Sequence, residues 1–99
     1  MRSHINYTEV DISTGTSQNV TTDDAELIGI WVTTALSAHA VTVHDGAAGT
    51  TIKSIPASAA VNATYEGYGV RLPSGINVAC NALGTGKIIV AWARSDVAQ

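Results

Sequence analysis

At 99 residues the chain holds one domain, with room for a single core but little margin. Charged residues make up 13% of it, the net charge is −3, and its five Lys and Arg are scattered, which argues against nucleic acid or an anionic membrane as a partner. A single cysteine excludes an intramolecular disulfide, and no stretch nears the about 20 consecutive apolar residues of a helical membrane span.

Residues 1–25 are polar and weakly patterned. Ile5 and Tyr7 fall on one face of a short strand, Val10 and Ile12 on the other. Residues 13–22, rich in Ser, Thr, Gly and Asn, read as loop. We expect 1–25 to be an N-terminal arm that orders on a partner, and 26–99 to be the folded domain. The first residues carry no apolar run of the kind a secretion signal needs, so synthesis in the cytoplasm is expected. Asp23, Asp24 and Glu26 then form an acidic, solvated approach to the first apolar segment.

That segment, 27–34, reads as a strand apolar on both faces. Ile28, Ile30 and Val32 point one way; Leu27, Gly29 and Trp31 point the other. A strand buried on both faces needs cover on both. One face takes the core, and Leu27 and Trp31 become the candidate oligomer interface. Residues 40–44 alternate, with Val41 and Val43 inward and Thr42 and His44 outward, and Asp45-Gly46 supplies a turn. A strand over 50–55 ends at Pro56, and 57–62 is an Ala-rich connector. Residues 63–72 form a strand interrupted by Gly67 and Gly69, the mark of a bulge or bend. After a Pro73-Ser74-Gly75 turn, 76–80 alternates, with Cys80 a small buried hydrophobe beside Ile76 and Val78. A loop over 81–86 leads to a last strand, 87–93. There Ile88, Val90 and Trp92 share the core face, and Ile89, Ala91 and Ala93 the other. Seven or eight short strands with turn signals between them predict an all-β antiparallel sandwich or barrel.

No constellation for chemistry stands out. His39 and His44 would face opposite ways on one strand, which suits no shared metal. Gly84-Thr85-Gly86-Lys87 lacks the first glycine and the helix of a phosphate loop. The acids at 23, 24 and 26 lack the spacing of a calcium loop. We expect no catalytic, metal or cofactor-binding residues, no cofactor and no enzymatic activity. The aromatics are more telling: Trp31, Tyr65 and Tyr68 exceed what one small core accommodates, and Tyr and Trp are enriched at interfaces. The apolar content, 45%, lies in Ala, Val and Ile, with 5% aromatic residues and no Phe. Such side chains bury little area each, at about 25 cal/mol per Å². Homo-oligomer contacts would add to that burial.

From residue 27 to 93 the chain resembles small head decoration (cement) proteins of tailed bacteriophages. The likeness lies in Ile28-Gly29-Ile30-Trp31-Val32, Val41-Thr42-Val43-His44-Asp45-Gly46, Ile55-Pro56-Ala57-Ser58, the Gly-rich strand over 65–72, and Gly86-Lys87-Ile88-Ile89-Val90-Ala91-Trp92. It implies a jelly-roll β-sandwich that assembles as a trimer. The trimer would sit on the outer surface of the head, in the virion, bound to the major capsid protein. A protein that binds only the expanded shell stabilises it by mass action. Residues 1–22 lie outside the resemblance but suit a capsid-contacting arm, with Ile5, Tyr7, Val10 and Ile12 as its apolar contacts. Truncation to Thr22 should then weaken capsid binding and leave the fold intact. The competing reading is a carbohydrate- or receptor-binding jelly-roll module of a phage tail or fibre, using Tyr65 and Tyr68. An enzyme of the cupin type would need inward-facing histidines, which His39 and His44 do not provide together.

Overall fold

The computed structural model describes residues 5–80 and 83–94. Its strands are β1 (Ile5–Asp11), β2 (Ser17–Thr21), β3 (Ala25–Thr34), β4 (Val41–Asp45), β5 (Thr51–Ile55), β6 (Thr64–Leu72), β7 (Ile76–Cys80) and β8 (Lys87–Arg94). They form two four-stranded sheets, ordered β1-β8-β3-β6 and β2-β7-β4-β5, and every pairing is antiparallel. No helix occurs among the described residues. The all-β expectation therefore holds. His4, residues 81–82 of the expected loop and the tail beyond Arg94 lie outside the described residues.

Strand alternation builds the core. Ile30, Val32, Leu72, Ile88 and Val90 of the first sheet meet Val41, Val43, Ile55, Ile76 and Val78 of the second, all of them buried. Tyr65, Cys80 and Trp92 pack against this cluster while staying partly exposed. The Trp92 indole Nε1 donates to Thr8 Oγ1 at 3.0 Å, which satisfies its one polar atom.

Two expectations need correction. The first concerns the arm. Residues 5–21 are not an arm: β1 pairs with β8 from Ile5↔Ala93 to Asp11↔Lys87, and β2 pairs with β7. Val10 is 4% exposed and Ile12 1%, so both belong to the core rather than to a capsid contact. The polar composition has a physical cause. β1 and β2 are edge strands, one in each sheet, so each has one strand neighbour and keeps polar groups in water.

The second concerns β3. Leu27 stands opposite Trp92 but Gly29 stands opposite Ala91, so Ile28 is an extra residue on β3. This bulge reverses the alternation. Leu27 (1% exposed) joins Ile30 and Val32 in the core, and Trp31 lies on the other face. Leu27 and Trp31 therefore do not share a surface, and Leu27 is covered by its own chain. β6 answers with a wider bulge: Leu27 faces Val70 while Gly29 faces Glu66, so residues 67–69 bow out opposite Ile28. The glycines expected to interrupt this strand do so. A Cβ on Gly67 would overlap the Leu27 carbonyl, and Gly69 has φ +69°.

Candidate functional site

Residues directly opposite in a sheet share a face. On the outer side of the first sheet, three rows run from β1 through β8 and β3 to β6. They are Ile5–Ala93–Glu26–Arg71, Tyr7–Ala91–Gly29–Glu66 and Glu9–Ile89–Trp31–Thr64. The middle of the second row, Ala91 and Gly29, and Ala93 of the first are small, and larger apolar side chains stand around them. The result is a shallow groove of about 360 Å³ walled by Ile5, Tyr7, Ile28 and Trp31, with Gly29 and Ala91 among its lining and Thr64 and Glu66 at one end. The Tyr7 and Trp31 rings meet across β8, their centroids 5.8 Å apart and their planes 58° apart. Tyr7 is 62% exposed and Ile5 40%.

The outer side of the second sheet is different. Its rows are Ser17–Ala79–Thr42–Ser54 and Asn19–Asn77–His44–Thr51. These side chains bond one another. The Asn77 amide, 1% exposed, donates to Ser17 Oγ at 3.2 Å and to Asn19 Oδ1 at 2.9 Å. His44 Nε2 lies 2.8 Å from Thr42 Oγ1, and its Nδ1 lies 3.2 Å from Thr51 Oγ1 and 3.3 Å from the Gly49 carbonyl. Both ring nitrogens are thus engaged within the fold. His39 lies in the loop before β4 rather than on the strand. Among the described residues no three of His, Cys, Asp and Glu come together as a metal site.

The ion pairs lie at the surface and join loop to sheet. The Arg71 guanidinium takes both carboxylate oxygens of Asp24, with Nε at 3.0 and 3.2 Å. Arg94 pairs with Asp23 at 2.7 Å. Together they tie the β2–β3 connection to β6 and β8. The Arg71 hydrogen bonds hold the Asp24 carboxyl below its ordinary range. The hydroxyl and amide of Ser13 do the same for Asp11.

Of the six residues singled out from the sequence, Ile5, Tyr7 and Trp31 come together on one face, while Leu27, Val10 and Ile12 lie in the core. The sequence pattern alone puts two of these three in an arm and one in an oligomer contact, yet β8 places them side by side. Ile28 and Ile89 complete the face. Ile89 was legible as the second apolar side of β8, whereas Ile28 was hidden by the bulge. No protein-family model matches the chain, and no curated protein matches it.

Proposed function

We propose that this chain is a structural protein of a tailed-bacteriophage virion. In this reading it is a decoration protein that binds the outer surface of the head as a homotrimer and stabilises the mature capsid. The observation that carries the reading is the contrast between the two outer faces. One is a polar surface whose side chains bond one another; the other presents Ile5, Tyr7, Ile28 and Trp31 around a groove, with Ile89 on the same face. Exposed apolar surface rimmed by polar residues marks an interaction site. An aromatic pair at its centre is the composition of an interface hot spot. We assign this face to the contact between subunits. The strand orders β1-β8-β3-β6 and β2-β7-β4-β5 support a jelly roll, the eight-stranded double Greek key found in capsid and lectin domains. With residues 5–21 built into the sheets, the capsid contact falls to the folded body rather than to an arm.

The test is light scattering on the purified protein, followed by co-sedimentation with empty expanded heads. A trimer that Trp31→Glu dissociates, and that binds expanded but not unexpanded heads, supports the proposal. A monomer that ignores heads overturns it. The carbohydrate-binding alternative draws on Tyr68, which is 85% exposed, but its other tyrosine, Tyr65, packs against the core.

A further inference from the structure

β5 and β6 are edge strands of opposite sheets, and they flank the same open side of the molecule. Between them lies a cavity of about 400 Å³ lined by Leu27, Ile52, Gly67, Tyr68 and Val70, with Lys53 and Glu66 at its rim. Leu27, at 1% exposure, is its floor. Tyr68 is 85% exposed and has φ +56°. A bulky residue in the left-handed region is strained, and such strain persists only where the surroundings impose it. Here the bulge imposes it, with Gly67 pressed on the Leu27 carbonyl and Gly69 also at positive φ. The chain thus holds an aromatic ring in water beside an apolar cavity.

Three features narrow the occupant. The bulge over residues 67–69 breaks the backbone ladder of the β6 edge, so a β-strand does not add to β6 there. The apolar lining gives a sugar few hydroxyl partners. The rim carries one cation and one anion, Lys53 and Glu66, and among the described residues neither makes an ion pair. Such a rim is self-complementary. A second copy turned about a two-fold axis sets Lys53 against the partner's Glu66, and Glu66 against the partner's Lys53.

We propose that the β5–β6 edge is a self-association site, in which two copies exchange Tyr68 across a two-fold axis. It adjoins the Tyr7–Trp31 face, with Glu66 common to both, and does not depend on the capsid reading. Sedimentation velocity over a concentration series tests it, in the full chain and in the Trp31→Glu background. That background keeps loss of the first face distinguishable from loss of the second. Tyr68→Gly should weaken association at least about tenfold, as for an aromatic hot spot, without lowering the melting temperature, because glycine suits φ +56°. Lys53→Glu and Glu66→Lys should each weaken it several-fold, and an equal mixture of the two should recover it, since each restores the other's pairing. Association unchanged by Tyr68→Gly, or no recovery in the mixture, would overturn the proposal. So would glycan binding that needs Tyr68 while self-association does not.

Discussion

Gly67 and Asp24 show how single positions hold this fold. A methyl group on Gly67 would overlap backbone, the Leu27 carbonyl, which cannot swing aside as a side chain can. Gly67→Ala is therefore expected to destabilise by about 1–3 kcal/mol, the usual range for overpacking, read as a lower urea midpoint. Asp24 acts through its charge. Its carboxyl is depressed below 3.8 by the Arg71 guanidinium, so the folded protein holds that proton less tightly than the unfolded chain. The sign follows from linkage: the contribution is present above the unfolded value and is lost as pH falls through the folded one. Asp24→Asn should lower the urea midpoint at neutral pH, and the difference from wild type should vanish in acid well below 3.8. Of these two roles, the glycine in a strand was legible as a bulge. The Asp24–Arg71 pair was not, because 47 residues separate its members.

Among the elements, β1 and β2 carry the clearest expectation. Removing residues up to Thr22 takes away Val10 and Ile12 from the core and strips β8 and β7 of a neighbour each. Loss of one buried Ile side chain to Ala already costs about 2–5 kcal/mol, comparable to the stability of a small domain. The truncated chain should thus lose its cooperative thermal transition, where a true arm would leave it untouched. The same two strands show where sequence reading stops. β4 was legible because Val41 and Val43 alternate with Thr42 and His44, and both its neighbours reward that pattern. β1 and β2 each have one neighbour, so the apolar requirement falls on few residues and the polar ones dominate the composition. The faces of β3 depart from simple alternation for another reason. A bulge at Ile28 is fixed by pairing with β8 and β6, and nothing within β3 itself announces it.

For the whole molecule, the two proposed contacts should differ in their response to salt. Burial of the Tyr7–Trp31 face is apolar, and sulfate strengthens such burial. The Lys53–Glu66 contact is electrostatic and lies near the surface, so added salt weakens it in part. A sodium sulfate series is expected to retain the Trp31-dependent oligomer, and a sodium chloride series to weaken the Tyr68-dependent one only by the several-fold share of its Lys53–Glu66 pairs. The pairing of β1 with β8 has a mechanical corollary. Ile5 stands opposite Ala93, so the chain enters and leaves the first sheet at the same end of two neighbouring strands. Tension applied through those two ends pulls across the ladder rather than along it. The hydrogen bonds then open singly, like a zipper, instead of resisting together in shear. Gripped by its ends, the molecule should yield at low force in a pulling experiment. A protein of this build that bears load must receive it through its faces.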